Sequence, residues 1–160
     1  ALQHIQDFQS MYNVRNHRVV YDSDGVGGGV TGHIPGAYEF HNGAKPLLKE
    51  NYQNLKTQCY YKLGEVVNSD LFEISDKVAN MFYSSEHNVK QRMLYERKAI
   101  KKYKPDHDGK IRMLPKEKQK VILNGTSPDI LDVCMMRMVF EFKIQNDSNW
   151  MGVGFKEDYM

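Results

Sequence analysis

The chain has 160 residues, with 41% hydrophobic and 26% charged side chains, seven Phe, ten Tyr and a formal net charge of +2. That length suits one domain, and the apolar content suffices for a core, so wholesale disorder is excluded. No run approaches the roughly 20 apolar residues of a membrane span, and the N-terminus has no basic segment leading into an apolar one, so neither membrane insertion nor secretion is expected.

Leu2, Ile5, Phe8 and Met11 recur at helical spacing and predict a first helix, ended by Asn13 and Asn16. The β-branched run at Val19 and Val20 with Tyr21 predicts a short strand over about 17–22, which leads into Asp22, Ser23, Asp24 and a glycine-rich turn, Gly25 to Gly29. Aspartates thus stand at the carboxyl end of a strand, the edge where open α/β sheets bind ligands. Pro35, Gly36, Asn42, Gly43 and Pro46 predict a long loop over 31–50 with one small edge strand at Tyr38–Phe40. Tyr52, Leu55, Cys59, Leu63 and Val66 predict a helix from Asn51, followed by a second strand over Leu71–Ile74, so that strand, crossover helix and strand form a parallel pair. A long helix is expected from Asp76 to Lys104, ended by Pro105. Asp108-Gly109 then reads as a hairpin tip, and Asp106-His107-Asp108 as part of that tip and not as a metal cluster. Lys116–Leu123 is a short helix, and Ser127 and Pro128 open the last one as N-cap and N1, with Val133, Met136, Val139 and Phe140 on its apolar side. After Phe142 the chain turns polar, which gives one domain over 1–142 and a loosely held tail over 143–160.

Cys59 and Cys134 stand far apart inside apolar helical patterns, as buried free thiols in a reducing cytoplasm do. Charge is unevenly spread: twelve basic and four acidic residues lie between Lys90 and Lys120, a local charge of +8 that leaves the remainder at −6. This stretch is either a DNA-facing surface making sequence-independent phosphate contacts or a solvated helix face. Lys110 and Arg112 on the hairpin, with Lys104 and Lys116 beside it, are the candidate DNA-binding residues. His4, His17, His33, His41 and His87 show no ligand spacing.

Two carboxylate pairs carry the candidate chemistry: Asp22/Asp24 at the strand end and Asp129/Asp132 at the start of the last helix. Mg²⁺ and Mn²⁺ want hard oxygen ligands and keep several waters, so two or three carboxylates from separate elements suffice. Asp129 and Asp132 lie three residues apart on one helical face and are placed to line one pocket. Aspartate in a first helical turn, or before glycine, is also ordinary capping and turn chemistry, and spacing alone leaves that alternative open.

Three segments together are similar to the nuclease domain of phage and prophage large terminase subunits: Val19 to Val30 (Val-Val-Tyr-Asp-Ser-Asp-Gly-Val-Gly-Gly-Gly-Val), Asn54 to Leu63, and Ser127 to Asp132 followed by Met135 to Met138. The resemblance covers roughly 1–142. It implies an α/β, ribonuclease H-like fold, a central sheet flanked by helices. It also implies a metal-dependent endonuclease that cuts double-stranded concatemeric DNA with two Mg²⁺ or Mn²⁺ ions. Asp22 and Asp129 correspond to the family's catalytic metal ligands, with Asp24 and Asp132 as seconds. The portal and small terminase subunit are the implied partners, in the cytoplasm of a bacterial host. The family's first metal-binding aspartate lies on a strand that would precede Leu2, so the N-terminal strands are expected to be missing here, and the bared sheet edge favours self-association. No Gly-x-x-x-x-Gly-Lys-Ser/Thr loop occurs, so these residues hold no ATP-driven motor.

Two other readings compete. A non-catalytic nucleic-acid-binding or assembly module would retain the nuclease fold without its first ligand. A dinucleotide site is disfavoured, because Gly25-x-Gly27 is followed by Val30 where the fingerprint wants its third glycine.

Overall fold

In a computed structural model of the chain, which describes residues 2–24, 30, 32–104 and 108–146, the N-terminal stripe forms helix α1 (Leu2–Tyr12). Asn13 ends it at φ 51°, a left-handed conformation that Asn tolerates. Leu2 and Ile5 pack on a small cluster of Tyr21, Val30 and Ile34, while Phe8 and Met11 of the same stripe remain exposed. A 3-10 turn at Asn16–Arg18 takes the first part of the expected strand and leaves β1 as Val20–Asp22. The small strand expected at Tyr38–Phe40 forms as β2 and pairs with β1 in parallel, Val20 opposite Tyr38 and Asp22 opposite Phe40. Ser23 N–H donates to the Phe40 carbonyl at 3.0 Å, so the ladder continues past Asp22 and ties down the base of the aspartate loop. The glycine run Gly25 to Gly29 lies outside the described residues.

Helix α2 (Leu55–Asn68) is capped by Asn54, whose side chain accepts from Thr57 N–H, and it buries Leu55, Cys59, Tyr60 and Leu63. Burial pushes the Cys59 thiol up to about 12; both cysteines are free, Cys134 only half-buried. The strand expected at Leu71–Ile74 does not form. Asp70 turns left-handed at φ 56°, and the N–H groups of Asp70 and Leu71 donate back to Val67 and Val66, a Schellman closure of α2. Leu71 is 77% exposed and Phe72 packs on the helical core, so the segment's inner face meets helices and no neighbouring strand among the described residues. The parallel pair is therefore β1–β2, and α2 is not its crossover.

The long helix expected over 76–104 is divided. Ser75 caps α3 (Asp76–Ala79), and the chain restarts at α4 (Val89–Glu96) with a capping box in which Asn88 and Gln91 exchange side chain to backbone bonds of 2.8 and 2.9 Å. A capping box satisfies N–H groups at a helix start, and here that chemistry overrides the apolar periodicity running through it. A 3-10 turn, Arg97–Ala99, leads to β3 (Lys102–Tyr103), which pairs antiparallel with β4 (Arg112–Met113). The hairpin expected here forms, but not through a two-residue Asp-Gly turn: Gly109 lies at φ 67° while Asp108 has no positive φ. The register, Tyr103 opposite Arg112, leaves residues 104–111 between the strands, of which Pro105, Asp106 and His107 lie outside the described residues.

Helices α5 (Lys116–Ile122) and α6 (Asp129–Arg137) follow. The expected last helix breaks at Met138, and α7 (Val139–Asn146) runs past Phe142, the expected domain boundary. Residues from Asp147 onward lie outside the described residues. Met135, Met138, Val139, Phe140 and Phe142 are buried, but Val133, expected on the apolar side, is 62% exposed. Helices α2 and α4 both pack on α6, and Phe40 and Met113 join the core from the two sheets. Among the described residues the strands make two two-stranded sheets, not one broad central sheet. No helix among the described residues is long and apolar enough to cross a membrane.

Candidate functional site

Asp22 is the last residue of β1, and the turn after it makes Asp24 N–H donate to Asp22 Oδ1 at 3.0 Å. The parallel register brings the residues just after β2 alongside. Asn42 Nδ2 donates to Asp22 Oδ1 at 3.1 Å, Asn42 N–H donates to Asp24 Oδ2 at 2.6 Å, and His41 Nδ1 lies 3.0 Å from Asp24 Oδ1. The His41 hydrogen bond is the largest influence on Asp24 and, helped by the Asn42 N–H, holds its carboxyl below the usual value against some burial. Neither His41 nor Asn42 stood out in the sequence, because their neighbours are fixed by strand register and not by spacing.

Asp22 and Asp24 line a cleft of about 430 Å³ whose wall also carries Asn42, Lys56, Lys116 and Asp132. Asp132, on α6, is half-buried. Its carboxylate is 2.9 Å from Lys56 Nζ and accepts from Tyr60 Oη at 2.5 Å. Lys56 and Tyr60 are four residues apart on α2 and present one helical face to α6. Burial first, and then the charge of Asp132, drives the Tyr60 hydroxyl far above its ordinary pKa, so it donates as a neutral phenol.

The structure thus brings Asp22, Asp24 and Asp132 to one cleft and leaves Asp129 out of its described wall. Asp129 is exposed and exerts its charge on Arg92. The expected Ser127 cap is also absent: Pro128 takes the N-cap position without a side-chain bond. Glu96 of α4 replaces it, accepting from Leu131 N–H at 2.9 Å and Ile130 N–H at 3.4 Å. Arg92 Nε donates to Glu96 at 2.7 Å, and Arg92 Nη2 reaches the Ser127 carbonyl at 2.8 Å and Thr126 Oγ1 at 3.1 Å. Burial works against the Arg92 charge, but the bond and charge of Glu96 outweigh it, and its pKa is raised. A carboxylate at a helix N-terminus meets both free N–H groups and the positive end of the dipole. A cap from a different helix leaves no mark in the local sequence.

The donor set is right in kind for a hard divalent cation: carboxylate oxygens from two elements, with room for waters. Among the described residues, no three His, Cys, Asp or Glu side chains draw close enough to form a ready-made metal cluster. Of the candidate DNA-binding residues, Lys116 borders the cleft, while Lys104 and Lys110 are exposed on the β3–β4 hairpin. Arg112 is turned onto Asp108 at 2.7 Å with its side chain 17% exposed, so it belongs more to the hairpin's own structure than Lys110 does.

Solved structures share this fold. A lysine-to-alanine mutant of the nuclease domain of the large terminase subunit gp2 of bacterial virus Sf6, with manganese, matches 74% of this chain and 64% of its own at a TM-score of 0.53 and 20% sequence identity. The gp2c fragment of the same mutant subunit from bacteriophage Sf6, with calcium, matches 74% of this chain and 63% of its own at 0.53 and 20%. The fold is that of a terminase nuclease domain, α/β and ribonuclease H-like, as the sequence resemblance implied. The chain spans about 64% of the length of the solved domain it matches. No protein-family model and no curated protein matches the sequence.

Proposed function

We propose that this chain is the nuclease module of a phage-type DNA-packaging terminase, hydrolysing phosphodiester bonds of double-stranded DNA with Mg²⁺ or Mn²⁺ in the cleft between β1 and α6. One observation carries the reading: carboxylates from distant parts of the chain, Asp22 and Asp24 on one wall and Asp132 on the other, face the same cleft. They do so in a fold shared with terminase nuclease domains. Asp22 and Asp132 are the ligands this geometry favours, Asp24 stands beside them, and Asp129 is secondary because it lies outside the described wall. Bound cations would supply charge neutralisation at the phosphate and an activated water. The chain's own residues supply orientation: Lys116 at the mouth of the cleft and the exposed Lys104 and Lys110 hold the phosphate backbone without reading sequence. Portal and small subunit are the partners this role calls for, in the cytoplasm of an infected bacterium.

Incubating supercoiled plasmid with the chain and Mn²⁺, with EDTA as the control, tests this. Cleavage that EDTA abolishes, that Asp22→Asn and Asp132→Asn eliminate, and that Asp129→Asn retains is the expected outcome. The same assay addresses a second reading, a non-catalytic DNA-binding module, which one observation favours: Asp132 is already ion-paired with Lys56. Salt-sensitive plasmid binding without any Mn²⁺-dependent cleavage would select that reading instead.

A further inference from the structure

Two buried titratable groups near the cleft have no part in the reading above: the Tyr60 hydroxyl and the Glu96 carboxylate, on residues 4% and 0% exposed. Tyr60 reaches Asp132 itself, and Glu96 reaches the two residues before it. Tyr60 donates from α2 to Asp132 Oδ1, which together with Lys56 Nζ at 2.9 Å fixes the rotation of the carboxylate. Glu96 accepts the N–H groups of Ile130 and Leu131, immediately before Asp132 in the chain, which fixes where α6 begins. Tyr60 otherwise packs among apolar residues, Leu55, Cys59, Leu63 and Met135 being buried in the same core. A phenylalanine would fill that volume equally well, so the hydroxyl bears on the carboxylate and not on packing.

We propose that Tyr60 and Glu96 are positioning residues that aim the Asp132 carboxylate at the cleft for a divalent cation, Tyr60 by holding the carboxylate and Glu96 by holding the first turn of α6. This rests on the reading of the cleft as a metal site. Hydrogen-bond partners of metal-ligating groups set ligand orientation, and their loss typically costs about 10- to 100-fold in metal affinity.

Mn²⁺ binding to the full chain, followed by the electron paramagnetic resonance of free Mn²⁺, tests it without recourse to cleavage. The unaltered chain binds Mn²⁺, and Asp22→Asn and Asp132→Asn each abolish that binding. Tyr60→Phe weakens it about 10-fold or more while the metal-free protein keeps a cooperative melt, and Glu96→Gln shifts it in the same direction. A Tyr60→Phe protein that melts earlier but binds Mn²⁺ with unchanged affinity makes the hydroxyl merely structural and overturns the proposal. If the Phe variant does not fold, the unaltered chain decides: Mg²⁺ must move a ring resonance in spectra of ¹³C-tyrosine-labelled protein, and a titration in which none moves overturns it. Failure of the metal-site reading looks different, as Mn²⁺ binding that is absent from the unaltered chain or that survives both aspartate substitutions.

Discussion

The two walls of the cleft are built on different principles. On the β1 side, Asp22 and Asp24 are held by each other's turn and by His41 and Asn42 from the adjoining strand end, with Asp24 largely open to solvent. On the α6 side, Asp132 is gripped by residues 72 and 76 positions away in the chain, and its helix is started by a fully buried carboxylate. An exposed carboxylate in a loop can adjust its rotamer to a ligand at little cost. One fixed by half-buried, charge-assisted bonds from another helix keeps its geometry more closely, whether or not a ligand is present. The α6 wall is therefore the more constrained side of the site, and Asp24 on the β1 wall the carboxylate freest to adjust to it.

The largest effect that separates the walls is expected at Glu96. Glu96→Ala leaves Arg92 buried and uncompensated and strips two N–H groups at the start of α6 of their acceptor. Removing one partner of a buried pair costs about 3–5 kcal/mol, to be read as a lowered urea midpoint. A loss within the range of an exposed ion pair, about 0–1 kcal/mol, would erase the distinction between the walls. A smaller effect is expected at Asn54, whose side chain caps α2 and so sets the phase of Lys56 and Tyr60. Asn54→Ala should cost about 1 kcal/mol in the same denaturation experiment, sharpening the comparison by showing how much of the α6 wall depends on the helix that faces it.

The same contrast governs what the sequence disclosed. The β1 wall was legible because its signals are local: β-branched residues leading into Asp22, Ser23, Asp24 and a glycine run. The hairpin at Asp108-Gly109 and helix α5 were legible for the same reason, since turn chemistry and apolar spacing act within a few residues. The α6 wall was only half legible. Two aspartates three apart announced a candidate pair, but which of them enters the cleft depends on the rotation of α6, and that is set by Glu96 from 35 residues away. Within 76–104 a continuous apolar phase concealed the capping box at Asn88 and Gln91. At 71–74 an apolar run suggested a strand, yet the αL residue Asp70 had already closed the preceding helix. Strand identity needs a pairing partner as well as composition, and the partner is a property of the whole fold.

The smallest expected effect concerns the adaptable wall. Asp24 carries a carboxyl held below its ordinary value of 3.8, chiefly by the His41 hydrogen bond. A group whose folded pKa is depressed contributes stability that is fully present above the unfolded value and disappears as the pH falls through the lower folded value. The contribution is discounted by solvent, since the Asp24 and His41 side chains are 43% and 53% exposed and exposed pairs are screened. Melting temperatures of the native chain and of Asp24→Asn should therefore differ slightly at pH 6, with the native chain higher. The gap should narrow once the pH drops below about 3.8 and should shrink in high salt. A gap that stays constant down to pH 3 would mean that Asp24 is held by something other than its charge, and the β1 wall would then be as rigid as the one it faces.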